Sequence, residues 1–421
     1  MLKNYLKTAW AVFRRRKFFT FVNLFGIVFT LAVLLVAVTL VDNIFGKLSP
    51  EVNADRTLGV FHVYMHGETE GGSGTTTQMP PSYSFLDNHM RNLPGVEEAS
   101  IQSVINKVFS YTSAGQRIES WVKYTDVPYW KILDFTFLEG RPFTQDEYDN
   151  VSNVAVINVA TRERFFGDEE AVGRTIDLDG RKFRVVGVVK NVSFLRLLSF
   201  ADVWAPLPTS SAYDPLDRSL GGRYMGMILA ENRHQFPLIR EEFIGRVQSI
   251  DMAEYKPFNI VVSTPETFAE FVSRAVFMSS VQTQNNLPQL YMIIVLIVLL
   301  FMLLPVINLV NLNMSRILER SSEIGVRKAF GAPRGTLIGQ FIFENIFITL
   351  IGSLIALLVA WFLLLLIADM GLIPYANFSL SWRVFSMGLV LTVVFGLISG
   401  VYPAWRMSRM NPINALQRRE Q

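Results

Sequence analysis

Four long apolar stretches alternate with polar segments along the chain. They cover residues 18–41, 290–313, 337–367 and 384–405. Each is long enough for the roughly 20 apolar residues that a helix needs to cross a bilayer, where every backbone polar group must be paired within the helix. The pattern predicts an α-helical membrane protein with four transmembrane helices and a large polar segment, residues 42–289, between the first two.

Basic residues mark one side of the predicted membrane. Lysine and arginine are concentrated in residues 1–17, 314–336 and 406–421, whereas the short loop 368–383 contains only Arg383. The positive-inside rule places short basic segments in the cytoplasm. We therefore expect both termini to be cytoplasmic and residues 42–289 and 368–383 to lie on the opposite side.

The N-terminal segment has a periodicity of its own. Residues 1–17 carry apolar side chains at spacings of three and four, which predicts an amphipathic helix in the cytoplasmic membrane interface. An inward extension of the first membrane helix is the alternative. The apolar stretch that follows is too long for a signal-peptide core and lacks a small-residue cleavage site, so we expect it to be retained.

The polar segment 42–289 predicts a large α+β domain. Two strand, helix, strand patterns near its ends favour a ferredoxin-like module. These patterns cover residues 56–64, 85–92 and 97–105, and residues 224–230, 235–248 and 258–262. The β-rich stretches between them predict an inserted β subdomain and cover residues 151–157, 175–178 and 182–189. Thr264 and Pro265 resemble the start of an amphipathic helix that leads to the second membrane helix.

Composition restricts the chemistry that the chain can perform. Hydrophobic residues make up 50% of the chain, the mean hydropathy is +0.30, and the formal net charge is only +3. The basic residues cluster beside apolar stretches, so we expect a lipid bilayer and no nucleic acid as partner. There is no cysteine, and the four histidines lack metal-ligand spacing. No P-loop or catalytic motif is present, so we expect no metal, no cofactor and no enzymatic activity.

The segment between the second and third apolar stretches is the most informative one. Residues 319–332 read ERSSEIGVRKAFGA, in which Glu323 precedes Arg327 by four residues and Gly331 precedes Pro333. This order predicts a short charged helix with an ion pair on its surface and a C-terminal stop. A solvated loop anchored at lipid headgroups is the alternative. Pro305 within the second membrane helix predicts a bend, which is either a hinge or a static kink.

The same segment resembles the MacB/FtsX family of ABC transporter permeases. That family carries the pattern E-R-x-x-E-I-G-[IV]-R-K-A-[LFIV]-G-A, and residues 319–332 match every specified position. Weaker similarities run through the chain, from GRPF at residues 140–143 to GVYPA at residues 400–404. The resemblance implies a type VII (MacB-like) permease with a periplasmic core domain. The residues that it assigns to coupling with an ATPase are Glu319, Arg320, Glu323, Ile324, Gly325, Arg327, Lys328, Phe330 and Gly331.

The resemblance also implies partners and a place in the cell. We expect a bacterial inner-membrane protein that pairs with a second, identical or different, permease and with a separate ABC ATPase subunit. Efflux of a periplasmic substrate through an adaptor and an outer-membrane exit duct is the leading interpretation. The alternatives are lipoprotein extraction and a mechanotransmitter that regulates a cell-wall hydrolase or a sensor kinase. The residues 66–82 and 191–223 fit no family pattern.

Overall fold

A computed structural model describes most of the chain. The described residues are 17–68, 74–111, 117–279, 286–319, 326, 333–378, 384–388, 390, 393–394, 397 and 401. The chain divides into two compact units, which are described separately here. One comprises Met1–Asp42, Tyr291–Leu372 and Asn377–Gln421, and the other comprises Asn43–Leu290 together with the short segment Ile373–Ala376. The second unit is called the outer domain below.

Nine α-helices of four residues or more lie between residues 17 and 369 in the described part of the chain. In chain order they are α1 (Lys17–Phe45), α2 (Tyr83–Met90), α3 (Tyr129–Ile132), α4 (Gln145–Asp149), α5 (Val159–Phe166), α6 (Phe236–Gln248), α7 (Phe268–Phe277), α8 (Leu287–Glu319) and α9 (Arg334–Asp369). Residues 384–388 are also helical. Short 3-10 turns lie at Ala54–Arg56, Leu207–Thr209, Arg233–Gln235 and Met252–Tyr255.

Two helices are long and apolar enough to cross a membrane among the residues that the structure describes. They are Leu24–Phe45 of α1 and Ile346–Asp369 of α9. The apolar part of α8, Leu287–Phe301, is shorter. Most of the fourth predicted span, residues 384–405, and the predicted interfacial helix at residues 1–16 lie outside the described residues. The structure therefore supports two of the four predicted spans.

α1 and α9 pack closely through a small residue. Ile27, Leu31 and Leu35 of α1 form one buried cluster with Ile348 and Ala356 of α9. A Cβ atom built on Gly352 of α9 would lie only 2.6 Å from Cγ2 of Ile27. The absence of a side chain at this position therefore permits the close approach of the two helices.

Thirteen strands are defined among the residues of the outer domain that the structure describes. They are β1 (Thr57–Val60), β2 (Val63–Glu68), β3 (Gly74–Met79), β4 (Val96–Ser103), β5 (Asn106–Tyr111), β6 (Arg117–Thr125), β7 (Phe137–Gly140), β8 (Val154–Asn158), β9 (Thr175–Leu178), β10 (Arg181–Val189), β11 (Val203–Pro206), β12 (Tyr224–Ala230) and β13 (Ile260–Val262). A ten-stranded sheet has the order β1-β12-β4-β6-β11-β8-β10-β7, with β5 paired to β6 and β9 paired to β10. A three-stranded sheet has the order β13-β2-β3.

The strand order places the two predicted strand, helix, strand units side by side. β12 lies between β1 and β4 and is antiparallel to both, while β13 pairs with β2. The expectation of one strand over residues 56–64 was wrong, because the chain leaves the large sheet after Val60 and enters the small sheet at Val63. The β-rich stretches expected in an inserted subdomain continue the large sheet instead of forming a separate one.

Side chains of β12 enter two different cores. Ile228 faces the cluster that holds Phe85 of α2 and Phe243 of α6. Met227 faces the opposite cluster, which holds Trp204. Because both faces are covered, all seven residues of β12 are buried. This explains why the strand reads as a continuous apolar run rather than an alternating one.

Candidate functional site

The predicted coupling segment is only partly described. Glu319 is the last residue of α8, Val326 is helical, and α9 begins at Arg334 with Pro333 as its N-cap. Pro305 lies within α8, which continues through it. The remaining predicted coupling residues lie outside the described residues, so their roles stay predictions: Arg320, Glu323, Ile324, Gly325, Arg327, Lys328, Phe330 and Gly331.

The described functional candidate is the part of the outer domain where the chain arrives from α1 and departs toward α8. After α1 ends, the backbone of residues 46–53 is attached to the domain at several points. The amide of Asp134 donates to the carbonyl of Pro50 at 2.8 Å, and the Ser49 hydroxyl donates to the carbonyl of Asp134 at 2.9 Å. The Asn53 amide group donates to the carbonyl of Ile132 at 3.3 Å. The segment that follows α1 is therefore fixed to the domain at three of its residues.

A buried ion pair fixes the end of α1 more strongly. Arg196 donates from Nη1 to Glu51 Oε2 at 3.2 Å, and both of its Nη atoms donate to the carbonyl of Gly46 at 3.1 Å. Ser199 donates to the other oxygen of Glu51 at 2.6 Å. The side chains of Arg196 and Glu51 are only 4% and 8% exposed. The residues Gly46, Glu51, Arg196 and Ser199 are called the exit network below.

The position of Arg196 also suits the electrostatics of a helix end. Gly46 directly follows the last residue of α1, Phe45. The C-terminal end of a helix carries a partial negative charge and unpaired carbonyls, both of which favour a cation. The guanidinium therefore neutralises Glu51 and the helix end at the same time.

A second basic residue, Lys123, binds the backbone next to Arg196. Lys123 on β6 is fully buried and donates from Nζ to the carbonyls of Leu197 and Leu198, at 2.9 Å and 2.7 Å. Burial lowers the pKa of Lys123 to about 7, although the nearby Glu51 charge opposes this shift. The sheet thus holds the backbone of the segment that carries Arg196.

The chain leaves the domain through α7. Thr267 and Glu270 form a capping box, so the helix begins at Phe268 and not at the expected Thr264 and Pro265. That expectation was wrong because a second threonine, three residues later, has a glutamate at the spacing that a capping box needs.

Ion pairs and aromatic rings attach α7 to the rest of the domain. Arg274 donates to Glu266 at 2.7 Å with both side chains buried, and Arg240 of α6 donates to Glu270 at 2.7 Å. The ring of Phe268 lies 5.9 Å from that of Phe45 at the end of α1. The incoming and outgoing segments therefore meet within one aromatic cluster of the outer domain.

Local sequence gave little sign of these contacts. Arg196 and Glu51 are 145 residues apart, and Lys123 is more than 70 residues from its carbonyl partners. Arg196 lies within residues 191–223, which contain no motif that is recognisable by inspection. Its one visible sign is a single arginine between apolar residues in FLRLLSF, residues 194–200.

The comparisons with known proteins agree with this division of the chain. A family model described as the MacB-like periplasmic core domain matches residues 20–243, just over half of the chain. A second, the FtsX-like permease C-terminal model, matches residues 295–412. The chain belongs to the MacB/FtsX family of ABC transporter permeases. This confirms the resemblance that residues 319–332 indicated.

Individual relatives are more distant. The chain is 28% identical over 334 residues to the macrolide export ATP-binding/permease protein MacB of Chlorobaculum tepidum, covering 76% of this chain and 48% of that protein. It is 22% identical to the ABC transporter permease YknZ of Bacillus subtilis, covering 79% of each. The chain thus spans about half the length of that MacB. The crystal structure of the periplasmic region of MacB from Actinobacillus actinomycetemcomitans aligns at 14% identity with a TM-score of 0.36, over 53% of this chain and 94% of that one.

Proposed function

We propose that this permease transmits the motion of a separate, ATP-hydrolysing subunit to its outer domain and thereby drives efflux of a substrate from outside the membrane. The observation that supports this function is the buried exit network, which joins the end of α1 to the outer domain through Glu51 and Arg196. The 421 residues contain no P-loop, so ATP hydrolysis is assigned to the partner. The name of the MacB relative, a macrolide export ATP-binding/permease protein, supports an ATPase partner and an export role.

The physical argument rests on stiffness. A joint made of exposed backbone would bend when a membrane helix tilts, and the motion would be lost there. Separating a buried ion pair costs about 3–5 kcal/mol, because each charge would be left without a partner in a medium of low dielectric. Tilting of α1 is therefore expected to move or reshape the outer domain instead of breaking the connection.

The complete assembly follows from the same proposal. In this proposal the chain has four transmembrane helices, both termini and residues 314–336 are cytoplasmic, and the outer domain lies in the periplasm of a bacterial inner membrane. One four-helix subunit supplies one coupling segment, so two permeases pair with two ATPases. An adaptor and an outer-membrane duct complete an efflux route. Lipoprotein extraction and control of a cell-wall hydrolase or a sensor kinase would use the same transmission of motion to the outer domain.

The coupling segment provides the test. Glu323→Ala combined with Arg327→Ala removes one candidate ion pair from the surface that docks on the ATPase. We expect the variant to insert normally but to lose at least about tenfold in permease-stimulated ATPase activity, because neither side chain could then pair with a charged group on the ATPase. Glu254→Ala, on the exposed surface of the outer domain, is the control. Full stimulation in the double variant would refute the assignment of residues 319–332.

A further inference from the structure

A third segment of chain reaches the outer domain, in addition to those that follow α1 and precede α8. Residues Ile373–Ala376 lie between α9 and the fourth apolar stretch, yet they belong to the compact unit formed by Asn43–Leu290. The loop is thus part of the outer domain although membrane-type segments flank it on both sides. The loop contacts the rest of the domain mainly through the side chain of Tyr375 and the carbonyl of Pro374.

Tyr375 makes the principal contacts. Its hydroxyl donates to Asp202 Oδ1 at 2.5 Å and accepts from Arg164 Nη2 at 2.9 Å. Its ring centroid lies 6.2 Å from that of Phe200. Burial, followed by the charge of Asp202, raises the pKa of the Tyr375 hydroxyl to about 12. The hydroxyl therefore remains a hydrogen-bond donor at any physiological pH.

The acceptor of this bond is itself immobilised by the sheet. Asp202 is 1% exposed and also accepts from the amide of Trp121 at 2.8 Å and from Nδ2 of Asn158 at 3.1 Å. Its backbone carbonyl accepts from the amide of Asn158 at 3.0 Å. Tyr375 is thus bound to a carboxylate that adjacent strands hold in place.

The backbone of the loop is fitted to this contact. Tyr375 has a φ of +55°, which is unusual for a residue with a bulky side chain and costs of order 1 kcal/mol unless its surroundings compensate. The carbonyl of Pro374 accepts from the amide of Phe194 at 3.0 Å. A strained backbone held by a side-chain and a main-chain bond indicates a docked loop.

One short segment of the outer domain binds both this loop and the end of α1. Residues 193–202 contain Phe194 and Asp202, which bind the loop, and Arg196 and Ser199, which belong to the exit network. Lys123 holds the backbone between them. The two connections therefore share a single structural support.

We propose that Tyr375 is a latch that fastens the loop after α9 to residues 193–202, so that this segment combines the movements of α1 and α9 into one movement of the outer domain. The inference rests on the proposed function and deepens it. In this role Tyr375 and Asp202 are positioning residues that act through residues 193–202. Without the latch, only the segments next to α1 and α8 would drive the domain.

Hydrogen–deuterium exchange tests the latch in the full chain assembled with its ATPase in nanodiscs. Tyr375→Phe keeps the ring but removes the hydroxyl. The matched control is Tyr255→Phe, which removes a hydroxyl that donates to the carbonyl of Arg218 at 3.0 Å elsewhere on the domain. Exchange is followed at residues 43–56 and 193–202, with and without a non-hydrolysable ATP analogue.

The latch predicts two changes in Tyr375→Phe. Without nucleotide, the Phe194 amide should exchange roughly tenfold faster than in the wild type, as expected when a hydrogen bond to a charged group no longer holds the loop. With the ATP analogue, the response at residues 193–202 should fall to less than about half, while residues 43–56 still respond because the exit network is intact. Tyr255→Phe should behave like the wild type in both.

The outcomes separate the latch from the function on which it rests. Wild-type Phe194 protection and a full ATP response in Tyr375→Phe would overturn the latch alone. A wild-type complex with no ATP response at residues 43–56 or 193–202 would overturn both the latch and the proposed transmission of motion.

Discussion

Arg196→Met is the most informative perturbation of the exit network. Methionine preserves much of the apolar volume of arginine but removes the cation. Glu51 would then be a carboxylate that is 8% exposed and has lost its ion-pair partner, and the carbonyl of Gly46 would lose two donors. Removing one member of a buried ion pair costs about 3–5 kcal/mol. Because Ser199 still donates to Glu51, we expect a loss of about 3 kcal/mol in the unfolding free energy of the outer domain.

Urea unfolding of the full chain in detergent measures this loss. Trp121, Trp130 and Trp204 lie in the outer domain and report its unfolding through their fluorescence. With an m-value of about 3 kcal/mol/M for a domain of this size, the midpoint should fall by about 1 M. Glu51→Gln in the Arg196→Met background should recover part of the loss, because it removes the unpaired charge.

An exposed ion pair, close in sequence to Glu51, provides the control. Lys47 and Asp55 also form an ion pair, but their side chains are 56% and 42% exposed. Exposed pairs contribute about 0–1 kcal/mol, so Lys47→Met should barely move the midpoint. If Arg196→Met destabilises the domain no more than Lys47→Met does, the exit network is not the rigid joint that the proposed function requires.

Two further predictions concern other parts of the molecule. Because burial lowers the pKa of Lys123 to about 7, the unfolded chain binds more protons than the folded one at higher pH. The free energy of unfolding of the outer domain should therefore rise between pH 7 and about 9, by at most about 1.4 kcal/mol per pH unit. Lys123→Met should abolish this pH dependence in urea titrations. An unchanged pH dependence would contradict the lowered pKa of Lys123. In α9, Gly352→Leu should lower the thermal midpoint of the detergent-solubilised protein, since its Cβ would meet Ile27 at 2.6 Å. Gly339→Leu is the control and should leave the thermal midpoint unchanged, because a Cβ at that position meets nothing within 4 Å. Equal effects of the two substitutions would contradict the close packing of α1 and α9.

Periodicity in the sequence predicted most elements but not how they connect. The strand at residues 224–230, the helix at residues 235–248 and the strand pair around Asp179 and Gly180 all lie where local patterns placed them. The break between β1 and β2 was missed because the two residues between the strands, Phe61 and His62, include no glycine or proline that would signal a turn. The inserted strands were assigned to a separate subdomain because pairing between distant strands leaves no local sign.

The functional contacts of the outer domain were the hardest to predict. Tyr375 and Asp202 are 173 residues apart, and each lies in a short segment without distinctive periodicity. The sequence does not distinguish a charged residue that is buried from one that is exposed, because burial depends on a partner that is distant along the chain. The coupling segment shows the opposite behaviour, since a continuous pattern over residues 319–332 was sufficient to indicate the family.

The distance between the outer domain and a membrane helix, measured with and without ATP, tests the central claim most directly. The chain has no cysteine, so Leu216→Cys and Leu354→Cys place spin labels at two positions that are 85% and 62% exposed. In the complex with the ATPase, binding of a non-hydrolysable ATP analogue should shift the distance distribution, and Glu323→Ala with Arg327→Ala should abolish the shift. An identical distribution with and without the analogue, in a wild-type complex that hydrolyses ATP, would contradict the transmission of motion to the outer domain.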